Sequence, residues 1–400
     1  EYEMTTSADP LALARGARDD IVDLAQRLVR TPSLTGEEAA AAAIVREAMA
    51  GLRYDDVRVD EAGNVIGRIA GRGGRSVLLH AHLDTVSAGD PSDWSHAPHG
   101  GDVADGYLWG RGASDDKASV AAQVVAAGLL RASGHVPPGD VYVAAVVGEE
   151  VGGFGTRHLL RGWRPDVAVI GEPSGNALRR GHRGRREFLV TFRGRSAHAS
   201  APDRGLNPHY SMARFVLALR QEPMTRDAIY GDTTVAPTLA YVDQTNSNVI
   251  PAEYTVHLDW RNAPADTAAA AHALLERLAA ECAEPGIRSE VRLRTRTARA
   301  YTGLTMDLSF DMPSFRLADE APELGIARRA VEGAVGRTVD VGQWAFATDG
   351  GHISAVGVPC IGFGPGEEAM AHVVDERVAI DQLVEATAGY MGLALALGAP

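Results

Sequence analysis

Apolar and polar positions along this chain fall into two textures. Over residues 8–30 and 37–51, alanines and larger apolar residues recur at helical spacing, which predicts helices there. Thr35 and Gly36 ahead of Glu37 and Glu38 mark a helix start, with acids where the N-terminal dipole favours them. Short continuous apolar runs follow at 77–79, 141–147 and 167–170, each reading as a buried strand, with an Ala/Val-rich helix predicted over 119–132. Strands that alternate with helices predict an α/β layered fold. After Gly184 the pattern changes. Residues 187–193 alternate like a half-exposed strand, 207–219 read as a helix, 234–243 and 254–260 as strands, 266–283 as a helix and 289–297 as a last strand. That β-α-β-β-α-β order is the ferredoxin-like one. From about 320 the α/β texture returns, with a helix at 320–335 and an apolar run at 358–363. The expected organisation is a discontinuous α/β domain, 5–184 and 299–400, with an α+β domain inserted at 185–298.

The balance of residues narrows the partners. The 400 residues are 45% hydrophobic and 23% charged, with a net charge of −13. That surplus of acid disfavours nucleic acid and anionic membranes as partners. No apolar run reaches the roughly 20 residues that span a bilayer, and the N-terminus lacks the order of a secretory signal. Glu1 to Met4 are set aside as an extraneous run ahead of an initiator methionine. Two cysteines, Cys282 and Cys360, make no disulfide framework and fit a reducing, cytoplasmic setting. The arginine-rich run at 179–186 reads as a solvated connector.

Chemistry concentrates just past the buried strands, where α/β folds place their sites. His82-Leu83-Asp84 follows the first. Positions i and i+2 point the same way, so Asp84 is expected to accept the second ring N–H of His82, as carboxylates do for metal-bound histidines. Gly110-Arg111-Gly112-Ala113-Ser114-Asp115-Asp116-Lys117 is a close-packed loop whose Asp115 by itself could be a helix cap. Glu149-Glu150 ends the second strand, and two adjacent, poorly solvated carboxylates there invite a multivalent cation. Gly171-Glu172-Pro173 ends the third in the same way, and His372 stands in a late loop after Gly362-Phe363-Gly364-Pro365-Gly366.

The order His-x-Asp, Gly-Arg-Gly-x-x-Asp, Glu-Glu, Gly-Glu-Pro, Ser-Ala-His-Ala and a late His resembles the M20 metallopeptidase family across residues 20–395. The family includes acetylornithine deacetylase, succinyl-diaminopimelate desuccinylase, aminoacylase and glutamate carboxypeptidase. The resemblance implies a zinc-peptidase-like α/β catalytic domain with an inserted lid or dimerisation domain. It implies two Zn²⁺ ions, with Co²⁺ or Mn²⁺ as substitutes. His82 and Glu172 would hold one ion, His372 and Glu150 the other, Asp115 both, with Asp84 orienting His82 and Glu149 as general base toward a shared hydroxide. His198 in Ser196-Ala197-His198-Ala199 would help bind the oxyanion, often across a dimer. Asn248 and Arg261, with backbone N–H groups of Gly350 and Gly351, would bind a substrate carboxylate. Expected partners are a small N-acyl amino acid or dipeptide-like substrate and a second copy of the chain through the inserted domain. The implied reaction is removal of an N-acyl group. The alternatives are a dipeptidase or carboxypeptidase, or a metal-binding protein without activity. Two departures stand out. Asp116 occupies a position that is often Met in the family and is expected to face solvent. His80, His96 and His99 crowd the same region, with His82 favoured as the ligand.

Overall fold

The computed structural model describes residues 9–400. Its larger sheet has nine strands. The path runs Asp56–Val59, Val65–Ile69, Val141–Val146, Val77–His82, Val167–Ile170, Cys360–Gly362, Leu178–His182, Phe315–Arg316, with Val341–Trp344 beside Leu178–His182. The four middle strands, 141–146, 77–82, 167–170 and 360–362, are parallel, which demands cover on both faces. The two-residue period shows how it is met. Val77, Leu79, Ala81, Val141, Val143, Val167 and Val169 pack into the core with the long helices, while Leu78, Ala144, Val146, Ala168 and Ile170 pack into a second core with Leu159, Leu160 and Ile353.

The helices differ in detail from their expected spans. The first stretch is two helices, Pro10–Gly16 and Arg18–Val29, parted at Ala17. Helices Ala39–Gly51, Lys117–Ala132 and Pro322–Val335 sit at the anticipated places. Ile380–Leu397 adds a long C-terminal helix with apolar side chains on every side, buried against Lys117–Ala132 and Pro322–Val335.

The second sheet is antiparallel, in the order Thr234–Val242, Glu253–Asn262, Gly184–Arg193, Arg288–Leu293, backed by helices Pro208–Leu219 and Ala268–Cys282 around Phe188, Phe192, Phe215 and Leu275. This is the ferredoxin-like arrangement. Gly184–Arg193 is central and mostly buried rather than half-exposed, because both its edges are paired. The strand expected over 289–297 is two strands. Arg288–Leu293 stays in the sheet, and Thr295–Arg299 leaves it to form a hairpin with Thr305–Ser309.

The arginine run is not a solvated connector. It forms the strands Leu178–His182 and the start of Gly184–Arg193, and carboxylates meet its charges: Arg179 pairs with Glu368, Arg180 with Asp319, Arg185 with Glu187 and Asp259, and buried Arg186 with Asp311. Paired guanidinium groups tolerate burial that isolated ones do not. No helix among the described residues is long and apolar enough to cross a membrane.

Candidate metal centre

The parallel strands deliver their C-terminal ends to one place. His82 closes the strand Val77–His82, Glu149 and Glu150 lie beyond Val141–Val146, and Glu172 beyond Val167–Ile170. Asp115 stands before the helix Lys117–Ala132, and His372 comes from a late loop in which its own φ is +63°. Asp115 lies between the two histidines. Its Oδ1 is 2.9 Å from His82 Nε2, and its Oδ2 is 3.1 Å from His372 Nε2. Glu150 Oε1 is 2.8 Å from His372 Nε2, and Glu172 Oε1 is 3.9 Å from His82 Nε2. The two histidines thus each face Asp115 and one glutamate.

The electrostatics are those of crowded acids. Burial, reinforced by neighbouring carboxylates, holds the Glu149 and Glu172 carboxyls well above the usual range, and burial also raises Glu150. Burial alone would raise Asp115 too, but hydrogen bonds from His372 and His82 hold it below its ordinary value. Asp115 and Glu150 lift the His372 imidazole to about 10. No arginine or lysine among the described residues pairs with Asp115, Glu149, Glu150 or Glu172. Oxygen and imidazole donors with a surplus of negative charge suit a divalent cation. Two trios have donor atoms close enough to share an ion, His82 with Asp115 and Glu150, and His82 with Asp116 and Glu172.

Asp116 is the first correction. It is fully buried, its Oδ2 accepts the His82 backbone N–H at 3.2 Å, and its Oδ1 has no partner. It does not face solvent, because the helix it precedes is sunk in the core. Asp84 is the second. His82 Nδ1 donates to the Asp84 backbone carbonyl at 2.9 Å, while the carboxylate lies 3.6 Å away. The strand ends at His82, so the strand-like alternation fails at Asp84. Its carboxylate instead accepts the backbone N–H groups of Glu149 and Glu150 at 3.0 and 3.2 Å and the Thr35 hydroxyl at 2.7 Å. Gly350 and Gly351 are the third. Both N–H groups are spent on Thr348, and both residues are buried. A Cβ on Gly351 would strike the Pro313 carbonyl and one on Gly350 the Phe315 ring, so close packing explains these glycines.

His80 turns away from the centre to Thr156, at 2.7 Å. His198 is exposed on the short strand Ala197–His198, and its ring bonds only Ser200 among the described residues, while Asn248, also exposed, accepts the Ala199 N–H through its backbone. The fold keeps these two beside each other, and their hydrogen bonds do not reach the centre. Arg261 hydrogen-bonds Asp259 and lines a cavity beside the centre. A cavity of about 280 Å³ over Asp115, Glu150, Glu172 and His372 adjoins one of about 350 Å³ that shares Glu149, Glu150 and His372 and is lined by Arg261.

Residues 78–396 match the profile described as Peptidase family M20/M25/M40. The chain belongs to this family. It is an M20 metal-dependent hydrolase, 32% identical over 389 residues to succinyl-diaminopimelate desuccinylase of Cereibacter sphaeroides, covering 93% of this chain and 97% of the relative. The fold is similar to that of Bacillus subtilis YXEP, described as a dinuclear metal binding peptidase of the M20 family, with a TM-score of 0.73, 16% identity and 96% and 99% of the two chains covered. It is similar also to aminopeptidase PepT from Bacillus cereus, with a TM-score of 0.72, 20% identity and 94% and 98% covered.

One supporting residue of this M20 chain was not read from the sequence. Glu376 is fully buried, accepts from Arg111 at 2.6 Å, and takes the N–H groups of Gly112, Ser114 and Asp115 at 3.0, 2.8 and 2.9 Å. It pegs the loop that presents Asp115. Its only sequence signal is a lone Asp-Glu pair after His372.

Proposed function

We propose that this M20 hydrolase is a di-metal amide hydrolase that removes the acyl group from an N-acyl amino acid. Asp115, with one oxygen toward each histidine, carries the reading. His82, Asp115 and Glu172 would hold one ion, and His372, Asp115 and Glu150 the other. Imidazole and carboxylate donors favour zinc, with cobalt or manganese as substitutes. The ions supply Lewis acidity and a water acidic enough to react near neutrality. The chain does the rest. Glu149, whose raised pKa suits a group that both takes and returns a proton, acts as general base and then protonates the leaving nitrogen. Asp84 keeps Glu149 and Glu150 in place through their backbone N–H groups. Arg261 meets the substrate carboxylate, for which a guanidinium is the natural partner. Residues 185–298 act as lid and as the dimerisation unit, in which the edge strand Thr234–Val242, with Leu239 and Tyr241 each 53% exposed, supports pairing with a second copy. Closure or a partner copy brings His198 and Asn248 to the substrate.

The relative named as a desuccinylase favours acyl removal over peptide cleavage. The test is to strip the protein with chelator, restore Zn²⁺ or Co²⁺, and follow amine release from N-acetyl, N-succinyl and N-formyl amino acids beside dipeptides. Metal-dependent release from acyl amino acids is expected. Release from dipeptides alone would replace the reading with a peptidase.

A further inference from the structure

The wall of the cleft opposite the metal centre is built from arginines. Arg185, Arg261 and Arg296 line it, and Arg294, which lines a separate cavity, stacks over the Phe310 ring of the same wall. Three of the four are paired. Arg185 meets Glu187 at 2.7 Å and Asp259 at 3.0 Å, Arg261 meets Asp259 at 2.7 Å, and Arg294 meets Glu187 at 2.7 Å. Arg296 pairs with no carboxylate among the described residues. Its Nη2 reaches only the Val151 carbonyl, at 3.3 Å, and its Nε is buried without a partner. Glu187 and Asp259 are thus the only carboxylates these arginines touch directly among the described residues, and Arg296 touches neither. Arg261 takes the substrate carboxylate in the reading above, which leaves Arg296 to explain.

Packing does not require a charge at this position. Arg296 stands over the Phe310 ring at 5.5 Å, a ring that Arg294 also faces at 4.3 Å. Burial and the neighbouring Arg294 both penalise the Arg296 charge. A leucine or methionine would fill the same space without that cost. The Val151 contact also fixes its place, since Val151 follows Glu150 directly and Arg296 therefore sits beside the reacting end of the cleft.

We propose that Arg296 binds a second carboxylate of the substrate, distinct from the one met by Arg261, so that the enzyme selects dianionic amides. This rests on the amide-hydrolase reading and deepens it. The second carboxylate belongs either to the acyl chain or to an acidic side chain of the amino acid, and Arg296 supplies the same charge-assisted contact in both cases.

The test uses the metal-loaded protein and starts with binding. Succinate and succinamate have nearly the same shape and differ in one charge. By calorimetry, wild type should bind succinate at least about tenfold tighter than succinamate, a modest demand for a charge-assisted contact. Arg296→Gln should bind the two alike, and Arg296→Lys should keep most of the difference. Equal binding by wild type, or a succinate advantage that survives in Arg296→Gln, overturns the proposal. Turnover then assigns the source. N-succinylalanine is compared with N-succinamylalanine, and N-acetylglutamate with N-acetylglutamine. The pair whose rate ratio collapses in Arg296→Gln carries the second carboxylate, and collapse in neither overturns the substrate assignment. Silence toward every N-acyl amino acid would refute the amide-hydrolase reading, while the succinate comparison still decides the role of Arg296.

Discussion

His80 and His82 stand two positions apart on one strand, yet only His82 meets the carboxylates of the centre. The difference is where the strand stops, and the same edge puts Glu149 in a buried cavity wall with its proton held tightly. Glu149→Ala should therefore keep its metal content and lose nearly all turnover, a loss of 10²-fold or more for a general base. Atomic absorption beside a rate assay checks it, and loss of metal instead would make Glu149 a ligand. A second residue sets acid stability. His182 is buried, with Nδ1 donating to the Arg183 carbonyl at 2.8 Å and Nε2 accepting the Thr348 N–H at 3.0 Å, so the neutral ring is required. Burial lowers its pKa from 6.5 to about 4. Above pH 6.5 the ring is neutral folded and unfolded, and it contributes nothing to pH dependence. As pH falls from 6.5 toward about 4, the unfolded chain binds a proton that the folded one refuses, and stability is lost, by roughly 3 kcal/mol in the limit. Denaturation midpoints across that window should fall less steeply for His182→Asn than for wild type.

Between elements, the loop 110–115 shows how position is enforced. Glu376 binds it at four points and is itself neutralised by Arg111. Glu376→Gln leaves a buried guanidinium unpaired, which costs about 3–5 kcal/mol. Chemical denaturation should show that loss, and metal titration should show weakened affinity, because the amide keeps one accepting oxygen where the carboxylate had two and so loosens the loop that presents Asp115. At this scale the sequence was legible in part. The runs at 77–79, 141–147 and 167–170 announced buried strands, though not their parallel pairing, and the acids after them pointed to a candidate centre, since both signals are local. The helix Ile380–Leu397 escaped because it is apolar all round and has no period to read. Asp116 and the arginine run were misread as solvated because their partners are distant in sequence: His82, Asp311 and Asp319. Gly350 and Gly351 carry no mark that separates a packing constraint from an anion-binding turn.

For the molecule as a whole, the surplus of negative charge matters most where it is densest. A folded chain that gathers Asp115, Asp116, Glu149, Glu150 and Glu172 at one edge stores repulsion that bound cations relieve. Each ion present at about a hundred times its dissociation constant adds about 2.7 kcal/mol. At roughly 2–4 °C per kcal/mol for a large domain, chelation should lower the melting temperature by about 5 °C or more, and Zn²⁺ should restore it. Scanning fluorimetry with and without chelator checks this, and an unchanged melting temperature would count against a metal centre in the folded chain.

The peg on the Asp115 loop also sets an order of events. Glu376 follows Asp115 by 261 residues, so during synthesis the loop 110–115 is made long before the residue that fastens it. In that interval His82, Asp115, Glu150 and Glu172 already exist as donors, but Asp115 has neither its peg nor the second histidine. Completion of the centre thus waits on a distant segment, and the nascent chain passes through a stage in which its acids are present and their final geometry is not.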